Sequence, residues 1–387
     1  MKRKFAFIGA GSLDFTRGLV RDILTFDAFR DCEIMLMDIN ETRLKYAKDG
    51  VMRIVEAGKY PAVVHATTDR KEALKDADGV LITILQGGVE VWRHDIEIPK
   101  KYGVDICVGD TRGPSGIFRF LRTAPVLLDI IRDVEVLCPN AIVLNYTNPM
   151  GILTGYMQRY TGVETVGLCH SVQCCSSHLL EELHMEDKLE GRLETIAGIN
   201  HMAWLLELKD KDGNDLYPEI RRRAAGMNAA GKHKDMVRFE YIKHLGYYCT
   251  ESSEHNAEYN PFFIKSRYPE LIDRFNIPLD EYPRRCMDQI KGWEEERSSI
   301  LSDGKITHDR SLEYASYIME AVVTDRPYKI GGNVINHGSI ENLPSDACVE
   351  VPCLVDGTGI HPTWIGRLPV QLAAMNMSNI NVQLLTI

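Results

Sequence analysis

Short apolar runs alternate with segments whose apolar residues return every three or four positions through the first half of the chain. The runs predict strands over Lys4–Ala10, Glu33–Ile39, Val63–Thr67, Gly79–Leu85, Asp105–Val108, Ala141–Tyr146 and Val163–Leu168. Between them the spacing predicts helices near 13–26, 40–57, 70–76, 90–102, 117–134, 150–160 and 172–184. Strands alternating with helices through short connections build an α/β, Rossmann-like doubly wound parallel sheet. From Leu193 the texture changes. A strand to Ile199 is followed by a second over Ala203–Lys209, a turn at Asp212-Gly213-Asn214, long polar helical segments and an apolar helical pattern starting near Pro369. This reads as a C-terminal α+β region, so the division is expected at 1–192 and 193–387, with no flexible linker between the parts.

A net charge of −10 excludes nucleic acid and anionic membrane as main partners, since both select basic surfaces. A small-molecule substrate is expected instead. The apolar run behind Lys2-Arg3-Lys4 breaks at Gly9 and Gly11, too short for a signal-peptide core or a membrane helix, so a cytoplasmic location is expected. The ten cysteines show no disulfide framework and read as reduced thiols.

The strand ending at Ile8 runs into Gly9-Ala10-Gly11-Ser12, where paired glycines allow a tight turn and close approach of a pyrophosphate to the next helix. Asp14 stands where the fingerprint has its third glycine, so by itself the turn is equally a structural one. Asp38, at the end of the second strand, can accept both ribose hydroxyls and repel a 2′-phosphate, which favours NAD; otherwise it caps a helix. Asn148-Pro149 sits at the carboxyl edge of the sheet and is similar to the Asn-Pro turn of lactate and malate dehydrogenases, where the asparagine lies near the nicotinamide. A helix cap by Asn148 is the alternative.

Cys169 and His201 each close an apolar strand, so a soft thiolate and an imidazole can meet at one rim and hold a divalent metal. On spacing alone a packed core cysteine and histidine are as good a reading. The ordered motifs Gly9–Ser12, Asp110–Arg119, Asn145–Pro149, Cys169–Val172, Gly198–Trp204, His255–Tyr259 and Asn333–Asn342 resemble glycoside hydrolase family 4 over essentially the whole chain. The resemblance implies a lactate/malate dehydrogenase-like fold, NAD and Mn²⁺ as cofactors, and Cys169 and His201 as metal ligands. It implies a route other than the two-carboxylate one: oxidation at C3 of the sugar, removal of the C2 proton, elimination at C1, addition of water and re-reduction. The family's tyrosine base maps onto Tyr259. The residue after the cysteine, an acid in some relatives, is His170, and Asp110 is its rival as acid or a ligand for a sugar hydroxyl. Asn148, Arg112, His255 and Asn336 are assigned to the substrate.

Phosphosugar-specific members follow the cysteine with Asp or Asn and a proline two positions later. Cys169-His170-Ser171-Val172 resembles the α-galactosidases instead, implying an unphosphorylated α-galactoside such as melibiose, with α-glucosides or α-galacturonides as neighbouring readings. A homodimer or homotetramer is expected. Relatives continue with further helix beyond the segment matching Asn379–Leu385, so the chain is expected to be shortened or altered there. Two rivals from other classes are a 2-hydroxyacid dehydrogenase, whose Gly-Glu-His-Gly-Asp segment is missing, and an inactive NAD-binding regulator.

Overall fold

A computed structural model describes residues 2–302 and 306–387. Among them twelve strands form one sheet: β1 Lys4–Ile8, β2 Glu33–Met37, β3 Val63–Thr67, β4 Gly79–Ile82, β5 Ile142–Asn145, β6 Thr165–Gly167, β7 Leu193–Ile199, β8 Met202–Lys209, β9 Tyr248–Cys249, β10 Tyr328–Ile335, β11 Cys348–Asp356 and β12 Gly359–Pro362. The order β3-β2-β1-β4-β5-β6 is parallel throughout, as the alternation of strand and helix predicts. Alternate residues feed two separate cores. Phe5, Phe7, Ile34 and Leu36 pack under the helices Leu13–Leu24 and Glu41–Gly58, whereas Ala6, Ile8, Met35 and Met37 join a core with the helices Gly113–Leu137 and Met150–Tyr160. Strands covered on both faces need apolar side chains at every position, which is why they read as unbroken runs.

Beyond β6 the sheet continues as β10-β11-β7-β8-β9 with antiparallel pairing, and β12 pairs with β11. The sheet therefore runs across position 192. Strands β10 and β11 were not foreseen, because Gly331-Gly332-Asn333 and Pro352 interrupt their apolar pattern. The glycines have a packing cause: a Cβ on Gly331 would stand 2.4 Å from Val172 Cγ1, so the helix His170–Glu182 lies directly on β10 there.

The segment 105–108, expected as a strand, is a loop. Its amides find a side chain rather than a neighbouring strand. Glu258 Oε2 accepts from Cys107 N and Val108 N at 2.8 and 2.9 Å, and Oε1 accepts from Gly109 N at 3.0 Å. The C-terminal helix Val370–Thr386 is docked by polar contacts. Trp204 Nε1 donates to Asn376 Oδ1 at 3.1 Å, Asn376 Nδ2 donates to the Met202 carbonyl at 2.8 Å, and Gln383 pairs with both backbone groups of Cys348. All ten cysteines are free thiols, and no described helix is long and apolar enough to cross a membrane.

Candidate active site and metal centre

At the carboxyl edge of β1, Gly9 has φ 91°, and a Cβ there would lie 2.4 Å from the Thr83 carbonyl oxygen. A Cβ on Gly11 would meet Asp38 Oδ2 at 2.6 Å. Both glycines are thus required by close approach. Asp38 accepts from Gly11 N and Asn40 N, each at 2.8 Å, while Asn40 is the residue that caps the following helix. Asp38 thereby braces the turn and leaves lone pairs on both oxygens. Ser12 precedes the helix Leu13–Leu24 without making a capping hydrogen bond, so its hydroxyl is not spent on that helix N-terminus. This cradle fits a dinucleotide.

The metal pair also meets. Cys169 precedes the helix His170–Glu182, and His201 lies in the two-residue connection of the β7–β8 hairpin, at φ 61°. Cys169 Sγ, His201 Nε2 and Glu251 Oε2 lie within 4.8 Å of one another, with His201 Nε2 3.6 Å and Cys169 Sγ 3.9 Å from the carboxylate oxygen. The Thr111 hydroxyl donates to Asp110 Oδ1 at 2.7 Å, which leaves its oxygen to accept from His201 Nδ1 at 2.9 Å. That tautomer turns the lone pair of Nε2 toward the thiol and carboxylate, as in a metal-ligating histidine oriented by its second nitrogen. Burial lowers the His201 pKa to about 4 despite the Glu251 charge, so the ring is neutral. Burial, with Glu350 and Glu251 nearby, pushes the Cys169 thiol well up, so a thiolate there calls for a cation. Soft sulfur, imidazole and carboxylate suit a divalent transition metal.

Asp110, Tyr259, Arg112, His255 and Asn148 surround this centre. Tyr259 OH is 3.0 Å from His201 Nδ1, and the Arg112 guanidinium stacks 4.2 Å from the tyrosine ring centroid. Burial raises the phenol well above its ordinary pKa and Asp110 adds to this, whereas Arg112 lowers it. Arg112 Nη2 donates to the Asn200 carbonyl at 2.6 Å, while buried Nη1 has no partner. That orphaned donor beside Tyr259 is a ready site for a substrate oxygen. Asn148 Nδ2 donates to Asp110 Oδ2 at 3.0 Å and its Oδ1 accepts from Met150 N at 3.2 Å, so it braces Asp110 and is itself held by the first amide of the following helix. His255 lies between Asp110 Oδ1 at 3.6 Å and Glu251 Oε1 at 3.4 Å. Burial disfavours its charge, but the two carboxylates prevail and raise it to about 9. Burial works against its charge, yet Asp110 is held well below the usual carboxylate range by its bond to His255, the His255 charge and Arg119.

Two expected site residues are not brought into this cluster. The His170 ring is exposed, 2.7 Å from Glu313 Oε1 and 3.3 Å from Cys174 Sγ. Asn336 is fully buried, and its amide serves the carbonyls of Ile340, Leu343 and Pro344 and the amide of Ile340, which leaves it nothing for a sugar. Sequence reasoning missed Glu251, Glu258 and the buried Glu350, whose oxygen accepts from Asn333 Nδ2 at 2.8 Å. The available signal for Glu251 is its spacing one helical turn before His255. Glu258 lies inside the His255–Tyr259 motif, and for Glu350 there is no signal.

Residues 4–185 match the family described as Family 4 glycosyl hydrolase, and residues 196–387 match the Family 4 glycosyl hydrolase C-terminal domain. The chain belongs to glycoside hydrolase family 4. Within this family it is 52% identical over 386 residues to an α-galactosidase of Bacillus subtilis (strain 168), covering all of this chain and 88% of that one. It is 38% identical over 394 residues to an α-galactosidase of Rhizobium meliloti (strain 1021), covering 99% and 80%. Among solved structures, a Bacillus subtilis protein provisionally described as a glucosidase superposes with TM-score 0.88 at 25% identity, covering 100% and 91%. The 6-phospho-β-glucosidase of Thermotoga maritima, solved with manganese, NAD⁺ and glucose 6-phosphate, gives 0.79 at 23% identity, covering 99% and 89%. A malate dehydrogenase of Plasmodium falciparum in complex with NADH gives 0.55 at 12% identity, covering 100% and 97%, a likeness of fold.

Proposed function

We propose that this family 4 chain hydrolyses unphosphorylated α-galactosides of the melibiose kind, with NAD in the Gly9–Gly11 cradle and a divalent cation, Mn²⁺ by kinship, on Cys169 and His201. The observation that carries it is the convergence of Cys169, His201, Asp110 and Tyr259 on one rim beside Asn148. Kinship to the Bacillus α-galactosidase supports the sugar. When bound, NAD supplies hydride acceptance and return at a sugar carbon, and the cation polarises the neighbouring oxygens.

The chain's own residues do the rest. Arg112 offers Nη1 to a substrate oxygen and, stacked on Tyr259, favours the phenolate. With a cation held on Cys169 and His201 to lower the phenol further, Tyr259 would lose its own proton first and its Oη would then be placed to take the proton from C2 of the sugar. The Asp110–His255 pair holds a proton at neutral pH and delivers it to the leaving oxygen. Asn148 fixes the Asp110 carboxylate. His170, between Glu313 and Cys174, has no part in this scheme. Ten free thiols suit a reducing cytoplasm.

The test is p-nitrophenyl-α-galactoside and melibiose in a glycoside panel, with NAD⁺, Mn²⁺ and thiol omitted in turn. The expected outcome is cleavage of α-galactosides that each omission reduces to background. Cleavage indifferent to EDTA and to NAD⁺ removal would overturn the mechanism. Turnover of α-glucosides or α-galacturonides alone would overturn the substrate, and stoichiometric NADH from lactate or malate would overturn both.

A further inference from the structure

We infer that Glu251 is a third protein ligand of the divalent cation and that its second oxygen links the ion to Asp110 through His255. This rests on the cation reading above and goes beyond the Cys169–His201 pair. Bonds of about 2.0–2.4 Å to one ion place neighbouring ligand atoms roughly 3–4 Å apart. Glu251 Oε2 stands 3.6 Å from His201 Nε2 and 3.9 Å from Cys169 Sγ, in that range without rearrangement.

The backbone supplies an independent argument. Glu251 has φ 65°, in the left-handed region that side chains avoid, and His201, another donor, has φ 61°. Such conformations persist only where the surroundings over-determine them. Here a buried network does so. Arg238 Nη1 donates to the carbonyls of Cys249 and Glu251, and Arg238 is ion-paired with Asp235. Asp235 also accepts from Ser253 Oγ at 2.8 Å and Tyr248 OH at 2.6 Å. The strand β9 and the start of the next helix are thus tied down on both sides of Glu251, which aims its carboxylate inward.

Glu251 Oε1 is 3.4 Å from His255 Nδ1, and His255 Nε2 is 3.6 Å from Asp110 Oδ1. One carboxylate therefore touches the ion with one oxygen and the ring behind Asp110 with the other. Adding a hard oxygen donor to the soft thiolate shifts preference toward Mn²⁺, and three protein donors retain the ion when the sugar leaves.

The experiment titrates Mn²⁺ into the full chain with NAD⁺ present and no glycoside, following the free aquo-ion by electron paramagnetic resonance, for the parent, Glu251→Gln and Glu251→Asn. The parent is expected to bind one ion per chain without sugar, and both variants to bind at least about tenfold more weakly. Asparagine is at home at positive φ, so E251N is expected to melt in EDTA at or above the parent temperature. Its lost affinity then reports the ligand and not the fold. In Co²⁺ protein the visible bands are expected to change in both variants while the near-ultraviolet thiolate band from Cys169 persists. Parent affinity and parent Co²⁺ spectra in both variants would overturn the inference while leaving the cation reading standing. A parent chain that binds no Mn²⁺ would overturn both.

Discussion

Glu350 shows what burial does to a single ionisable side chain. Burial pushes its carboxyl from the ordinary 4.5 up to about 8, the Glu251 charge adds to this, and the Asn333 amide works against it. Its Oε2 has no donor, and neither do Asn200 Oδ1 and Asn333 Oδ1. A protonated Glu350 has a hydrogen of its own to donate, which a carboxylate lacks. The folded chain then keeps a proton that the unfolded chain releases above about 4.5, so stability declines as pH rises from about 4.5 to about 8 and is level beyond. Glu350→Gln replaces the neutral acid with a permanent donor and removes that decline. Without metal, the melting temperature of E350Q relative to the parent is expected to climb across this window. A constant difference would show Glu350 to be ionised throughout. None of this was legible in the sequence, where Glu350 is one acid among 55 acidic residues. Cys169, His201 and Tyr259 were legible because ordered motifs carried them. His170 and Asn336 lay in the same motifs, yet one is turned to Glu313 and the other is used up in its own loop.

Elements were read well wherever both faces are buried, because continuous apolar runs survive any register. The failures have local causes. Residues 105–108 are apolar, but their amides are served by Glu258, 150 residues away in sequence from Val108, and no periodicity reports such a partner. Strand β10 hides behind glycines that the helix His170–Glu182 requires. That packing gives an element-scale prediction. Gly331→Ala places a methyl against the stiff Val172 side chain, and overpacking of this kind costs about 1–3 kcal/mol. Because the displaced helix begins immediately after Cys169, G331A is expected to lower the melting temperature by a few degrees and to weaken Mn²⁺ binding, as calorimetry and the metal titration would show. Unchanged values would mean that helix and strand have slack between them.

The whole molecule is organised by one sheet that carries the nucleotide cradle at β1 and the metal residues at the far side of β6 and at the β7–β8 hairpin. We expect a single calorimetric transition, raised by NAD⁺ and by Mn²⁺ alike, with a ligand at 100 times its Kd adding about 2.7 kcal/mol. Two transitions, each moved by one ligand only, would instead separate 1–192 from 193–387 as independent units. The change of texture at Leu193 marks where parallel pairing gives way to antiparallel, and that boundary shows in sequence because β7 and β8 form a hairpin with a two-residue connection. The hairpin has a further consequence. Its second linking residue, His201, occupies a left-handed conformation that glycine adopts freely. A library sorted for heat resistance alone would therefore enrich glycine or asparagine at 201 and at 251, and its most robust clones would be the ones that had lost the chemistry.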